Sequence, residues 1–563
     1  NGAALLADIL NTAPHVTLLV TSRERLNLQE EWSYEVWGMA FPQPNQLEPG
    51  VTLTKLEQYS AVQLFIQRAR QVKAGFSPTT DDIPALRRIC ELVDGMPLAL
   101  ELAAPWLRLM TCREIAAEIQ RSIDFLVTSM HNVSERHRSL RAVFEQTWAR
   151  LRPEERAVLS KLSIFQGGGR RAAAASVTGA TLPDLLSLVD KALLRQTAAG
   201  RYELHELIRQ FAASQLQLEP EEHQQALDRH YVYYTYFLQQ RTAALKGGPQ
   251  QETLAEIAAD IDNVRAAWAR AAELKDAAAL EQAAECLCLY CEMRGALAEG
   301  EIAFGQAAAA LAFPEQAEPE IALNHRILRG FLLVGQGMLQ AQRGALQPGQ
   351  ALLEQGLSLL GQANKPQQAF GLLWLGWTLF LQGKNIEAEQ IVQQSLELYS
   401  NIGDGWGVAK NLFALGNSLT ARGLLAESEP PLRQSLRICR EIEDRRSCLL
   451  VNRNLAILTL WFGDYPQTGQ LLNEAASLSQ EFNDQIGLAY TLRELGKLEL
   501  ARGEYTQAIQ TLQKSMAITA EIGSQWESAA TLDDLGVALR LTGDYAAAEW
   551  ALRGETEKAR ALL

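Results

Sequence analysis

The sequence predicts a mainly α chain: a short α/β segment, a helical domain, a winged helix, and then an α-solenoid of helical hairpins with a 40-residue period. Three observations carry that expectation. Glycines recur every 40 residues, at Gly383, Gly423, Gly463, Gly503 and Gly543. Helical patterns between residues 139 and 194 are followed by a hairpin signal at 196–204 and one more helix. Near the start, Val16-Thr17-Leu18-Leu19-Val20-Thr21 is a continuous apolar run of strand length.

In chain order, the apolar run comes first. A strand buried on both faces of a parallel sheet reads this way, and it leads into Ser22-Arg23. Ligands of open α/β sheets sit at the carboxyl ends of strands, where an arginine suits a phosphate. An arginine capping a turn at the sheet edge is the alternative reading. Residues 90–104 then read as a helix, a stop at Gly95 and a second helix opened by Pro97, since proline is favoured at the first helical position. Helices follow at 139–151, 153–165, 170–178 and 182–194, then the hairpin, then a helix at 205–216. Helices closed by a β-hairpin make a winged helix. The aromatic stretch 230–237 suits helix packing. Lys246-Gly247-Gly248-Pro249 reads as a loop, and Phe313-Pro314 to Pro319 as the break before the repeats.

The repeat has several columns. Leu375, Leu415, Leu455, Leu495 and Leu535 keep the 40-residue step, as do Gly376, Gly416, Gly496 and Gly536, with Ala456 in the remaining place. Ala388, Ser428, Thr468, Ala508 and Ala548 form a column of small residues, and Tyr465, Tyr505 and Tyr545 follow their glycines by two. Residues 485–500 carry helical apolar spacing, Gly503 permits a positive φ in the turn, and Ala508, Ile509, Leu512, Met516 and Ile518 form a second stripe. One hairpin cannot bury both faces. Stacked neighbours complete the core and leave an extended concave wall. The five clear repeats cover roughly 370–563, and a less regular unit holds Gly337 and Gly344.

Composition sets further bounds. A chain of 563 residues exceeds a single core. Its hydrophobic content of 47% and charged content of 21% are ordinary for a folded protein. A net charge of -14 repels phosphate backbones, which argues against a nucleic-acid wrapper. No apolar run reaches about 18 residues, no secretory signal is visible, and the seven cysteines are too scattered for a disulfide framework. A reduced, cytoplasmic protein is expected. Cys286, Cys288 and Cys291 spread around a helix and read as small core residues rather than metal ligands. No catalytic set emerges from the dispersed histidines. The opening Asn1-Gly2-Ala3 lies inside an amphipathic pattern, so the chain reads as a piece of a longer protein.

The columns and the turn Gly543-Asp544-Tyr545-Ala546-Ala547-Ala548 resemble the tetratricopeptide repeat (TPR), although the period exceeds the usual length of about 34 residues. Upstream, Leu18-Leu19-Val20-Thr21-Ser22-Arg23, Gly95-Met96-Pro97-Leu98-Ala99-Leu100 and Leu204-His205-Glu206-Leu207-Ile208-Arg209 occur in that order. Together they resemble the second half of a bacterial STAND-class (NB-ARC-like) regulatory ATPase, as in large LuxR/AfsR-type transcriptional regulators. The resemblance implies five parts. Residues 1–48 are a truncated α/β nucleotide-binding remnant, 49–138 a helical domain and 139–217 the winged helix. Residues 218–320 are a helical linker region with room for degenerate repeats, and 321–563 the TPR-like superhelix.

The resemblance also implies roles. Arg23 is the sensor arginine for the terminal phosphate, Pro97 packs near the adenine, and His205 holds the β-phosphate of ADP and keeps the winged helix shut. Leu204 and Glu206 stand where the family has Met and Asp, and a helix-start histidine satisfied by its neighbours is the other reading of His205. ADP/ATP is the implied cofactor, with Mg²⁺ only in the longer parent protein. No Gly-x-x-x-x-Gly-Lys-Ser/Thr occurs in the chain. By itself the chain is therefore not expected to be catalytic, and the parent is expected to be an ATP-hydrolysing switch. A protein or peptide partner, or a small-molecule inducer, is expected on the concave TPR face, with self-assembly on activation. No membrane contact is expected. Direct nucleic-acid binding is not expected either, because the basic residues of the winged-helix segment are dispersed. The alternative is a TPR interaction scaffold with a vestigial nucleotide module and no enzymatic activity.

Overall fold

The computed structural model describes the chain except residues 1, 14, 23–24, 27, 33, 35, 37, 44–52, 128–138, 312–318, 362–363, 523–524 and 563. It divides into two compact units, Asn1–Tyr234 and Thr235–Leu563. The break expected at Phe313-Pro314 lies outside the described residues.

The first unit opens with the helix Gly2–Thr12. The run 16–21 is not paired into a sheet, and Leu19 is 98% exposed. A doubly buried strand needs hydrogen-bonding neighbours on each edge, and no strand lies beside this run among the described residues. The helices Ser60–Val72, Ile83–Leu92, Pro97–Ala103 and Cys112–Arg121 surround a core of Phe65, Leu86, Ile89, Leu100, Ile115 and Ile119. Fully burying each such side chain contributes about 1.5–3 kcal/mol before entropy is counted. Thr111 and Glu114 cap the last of these helices reciprocally.

Next come the helices Leu140–Ala149, Pro153–Leu162, Arg171–Thr178 and Leu182–Asp190. A three-stranded antiparallel sheet closes this part, with strands β1 (Gly169–Arg170), β2 (Arg195–Gln196) and β3 (Arg201–Glu203) in the order β1-β3-β2. Gly169 faces Tyr202 and Arg195 faces Glu203. The expected hairpin is present, and β1 is an addition that the apolar pattern did not signal. The helix expected to run to 194 stops at Asp190, and Ala192 takes a positive φ of 53° as the chain turns into β2. Glu155, with a fully buried side chain, is held by Lys191, Ser187 and Arg152. Burial alone would raise its carboxyl pKa, but those partners hold it down at about 2. The helix Glu206–Leu216 returns Leu207 and Phe211 to the first core, which fixes its start against the earlier helices.

The second unit is helical among its described residues. First helices Lys365–Leu381, Gly405–Ala421, Arg445–Trp461, Gln485–Ala501 and Gln525–Leu541 alternate with second helices Asn385–Ile402, Leu425–Glu441, Tyr465–Glu481, Tyr505–Glu521 and Tyr545–Leu562. The 40-residue step is thus kept helix by helix. Each turn glycine of the column takes a positive φ, as Gly503 does at 77°. The first-helix glycines lie under a second-helix side chain: a Cβ on Gly496 would sit 2.7 Å from Leu512 Cγ. A serine column adds a repeated cross-link, because Ser395, Ser435 and Ser515 each donate to a first-helix carbonyl, Ala369, Ala409 and Ala489, at 2.8–2.9 Å. Earlier hairpins pair Ala277–Arg294 with Leu297–Ala310 and Pro319–Gln342 with Leu346–Leu360. Cys286, Cys288 and Cys291 are buried in the first of these helices, and burial pushes the Cys286 and Cys291 thiols up to about 12. No single described helix is long and apolar enough to cross a membrane.

Candidate functional site

Two of the three expected site residues are brought together in the first unit. The helix Ile83–Leu92 ends in a tight turn in which Asp94 (φ 46°) and Gly95 (φ 63°) are both left-handed. Gly95 N–H donates to the Cys90 carbonyl at 3.0 Å and Met96 N–H to the Val93 carbonyl at 2.8 Å. Pro97 follows as an exposed first-turn residue of Pro97–Ala103. A second stretch of backbone lies against the turn: Met39 N–H donates to the Gly95 carbonyl at 2.8 Å. A Cβ on Gly38 would fall 1.9 Å from the Asp94 carbonyl oxygen, so only glycine fits there.

His205 caps the helix Glu206–Leu216, its Nδ1 accepting from Leu207 N–H at 3.0 Å. A ring nitrogen that accepts is unprotonated, so in the neutral imidazole the proton sits on Nε2. Nε2 is buried and makes no hydrogen bond of normal geometry among the described residues. The Val93 carbonyl and the Asp94 carboxylate are its polar neighbours. Burial pushes the imidazole pKa down, and the upward pulls of Asp94, Val93 and Glu206 offset only part of that push. The ring is therefore a neutral donor facing the turn that precedes Pro97.

Glu206 fastens this helix in place. Its carboxylate takes two hydrogen bonds from Arg209, each 2.8 Å, and one from Gln210 Nε2 at 3.0 Å. Gln210 Nε2 also reaches the Ile119 and Gln120 carbonyls at 3.1 Å. Burial alone would raise the Glu206 pKa, but these partners hold it low. Beside the turn lies a cavity of about 390 Å³ lined by Gly38, Met39, Phe41, Tyr59, Asp94 and Arg195 among others. Arg23 lies outside the described residues. Two residues on, Arg25 pairs with Asp190 at 3.6 Å. Sequence reasoning missed Gly38, Asp94 and Arg195. The contact of Gly38 is with backbone atoms, which leave no residue pattern, and Arg195 reads as one more surface charge.

The repeats hold a second polar locus on their first helices. The Arg453 guanidinium lies 4.9 Å and that of Arg493 5.6 Å from the Tyr490 ring centroid. Arg493 also pairs with Glu494 at 3.3 Å and with Glu527 at 3.7 Å. Lys497 pairs with Glu494 at 2.9 Å and with Asp534 at 3.8 Å. Burial pushes Arg453 down and lifts the Asp534 carboxyl to about 6. Beside Arg453, Asn452 is fully buried, and its amide oxygen and nitrogen have no hydrogen-bond partner among the described residues. The two arginines stand 40 residues apart in one column, a signal legible in the sequence. On the first helices, Trp374 and Trp406 are buried and Trp377 stacks on Phe413 at 5.8 Å. The Trp526 side chain lies outside the described residues.

The tetratricopeptide repeat family model matches residues 446–521 and 488–553. A Mycobacterium tuberculosis protein named as an HTH-type transcriptional regulator is 31% identical over 277 residues, which is 47% of this chain and 29% of that protein. An uncharacterised protein of the same organism is 31% identical over 225 residues, covering 38% of this chain and 53% of its own length. The chain thus spans less than a third of the first relative and about half of the second. A crystal structure of a Signal Transduction ATPase with Numerous Domains (STAND) from Pyrococcus horikoshii, bearing a tetratricopeptide repeat sensor, aligns with a TM-score of 0.50 at 16% identity. That alignment covers 88% of this chain and 65% of the other. The fold of this chain is similar to that of the Pyrococcus structure. The C-terminal helical pairs of this chain, at 446–553, are tetratricopeptide repeats.

Proposed function

We propose that the chain is the gating and sensing part of a nucleotide-dependent regulatory switch. The segment 139–217 is read as a winged helix that closes on bound ADP, and the repeats take a protein, peptide or small-molecule ligand. The observation that carries this reading is His205: a neutral ring whose Nε2–H faces the Asp94-Gly95 turn ahead of an exposed Pro97. A donor so placed suits a phosphate oxygen, because a hydrogen bond to a charged group is stronger than one to a neutral acceptor. Pro97 supplies an apolar edge for the base, and Arg23 and Mg²⁺ complete the site in the longer protein. Ligand binding to the repeats acts as a switch only if the ligand prefers the open form. The Arg453, Tyr490 and Arg493 locus is the part of the repeat wall best suited to a polar or anionic group of that ligand.

Nitrogen NMR of histidine-labelled full-length protein tests the gate. At pH 7 His205 should show the Nε2–H tautomer, and adding ADP should shift Nε2 while the Leu207 cap persists. An Nε2 signal that ADP leaves unmoved would remove the assigned role. A second reading, an interaction scaffold with a vestigial nucleotide module, draws on the lack of a phosphate-loop motif in these 563 residues. It predicts that same silent result.

A further inference from the structure

Within the second unit, one short segment is fastened to residues far along the chain. Lys246, at the end of the helix Thr242–Lys246, pairs with Glu285 at 2.7 Å and with Asp404 at 2.9 Å. Its Nζ also lies 5.0 Å from the Trp406 ring centroid. Gly247 is extended, at φ -176°, and a Cβ there would fall 2.1 Å from the Ile442 carbonyl oxygen. Gly248 N–H donates to the Glu443 carbonyl at 3.2 Å. Gln250, 2% exposed, donates to Asp444 Oδ1 at 2.9 Å and accepts from Arg446 N–H at 3.1 Å. Gln251 reaches the Glu481 carbonyl. From the neighbouring helix Ala277–Arg294, Glu281 accepts from Gln367 at 3.1 Å, and the Met293 carbonyl accepts from Arg446 at 3.0 Å.

The partners share one structural position. Asp404 and Asp444 are the N-cap residues of successive first helices, and Ile442 and Glu481 belong to the junctions before the helices starting at Arg445 and Gln485. Segment 246–251 therefore touches three successive repeat junctions, at 404, 442–446 and 481. The spacing between junctions on one edge of a helical stack changes whenever its curvature changes. A single short segment can satisfy all three junctions at only one curvature.

We infer that 246–251 is a latch that holds the repeat stack at one curvature and lets go when that curvature changes. Any ligand that bends or straightens the stack must break these contacts, and the freed segment is the chain that leads back to the first unit. Two-state elements of this kind turn small shifts into discrete ones. The inference needs only the stack and does not depend on the nucleotide reading, so the two fail separately.

Hydrogen exchange on the full chain tests it with two variants of opposite kind. Lys246→Ala removes the ion pairs, while Gly247→Ala leaves every charge in place and inserts a methyl group against Ile442. Both should speed exchange about tenfold or more at the amides of 246–260 and at the caps 404–408 and 444–448. The repeats at 505–541 should keep their protection. Unchanged exchange at the caps in both variants would overturn the latch. So would an equal loss of protection across the whole unit, which would make the segment ordinary core packing.

Discussion

At the scale of single residues, His205 combines two requirements that only its neutral form meets. Its Nδ1 must accept from Leu207 N–H, and its Nε2–H must stay a donor. Burial keeps the folded pKa below the ordinary value of 6.5. The sign of the pH dependence follows by linkage: the unfolded chain binds more protons just below pH 6.5, so stability there rises with pH. The contribution is complete above pH 6.5 and lost as pH falls from 6.5 through the folded pKa. Urea unfolding of the full chain at pH 7.5 and at progressively lower pH should show this loss for the first unit, and His205→Gln should flatten that part of the profile. An identical profile in the variant would contradict it. Pro97 and His205 were legible in the sequence because each sits in a short motif at a helix start. Their proximity was not legible, since it depends on the Val93–Gly95 turn and on the core contacts of Leu207 and Phe211.

At the scale of elements, the 40-residue hairpin was readable almost in full, because one glycine column makes the turns and another makes the helix contacts. The two kinds of glycine answer differently to substitution. At Gly416 a Cβ would stand 2.5 Å from Leu432 Cγ, so Gly416→Ala should cost about 1–3 kcal/mol through overpacking. At Gly469, inside Tyr465–Glu481, the nearest atoms would be 3.4 and 3.6 Å away. Gly469→Ala should therefore stabilise by about 0.5–1 kcal/mol through helix propensity alone. Denaturant melts of the two variants check the contrast, and a shared sign would refute it. Other elements were less legible. The run 16–21 has strand composition, yet among the described residues no strand lies beside it to complete a ladder. Strand β1 is two residues long and carries no periodicity. The serine cross-links stand 40 residues apart, but serine has no hydrophobic signature and Ala475 interrupts the column.

At the scale of the whole molecule, two compact units divide the work proposed here between a gate and a sensor. The first unit places a neutral histidine donor, an exposed proline and a Gly38–Gly95 backbone clamp around one turn. The second stacks repeats whose junctions are tied to segment 246–251. We propose that the first unit belongs to a nucleotide-holding switch. Titration of fluorescent ADP into the full-length protein, with His205→Ala alongside, is the test. The expected result is saturable binding that weakens about tenfold or more in the variant, the loss of one hydrogen bond to a charged oxygen. No binding, or equal affinity in both proteins, would contradict the claim.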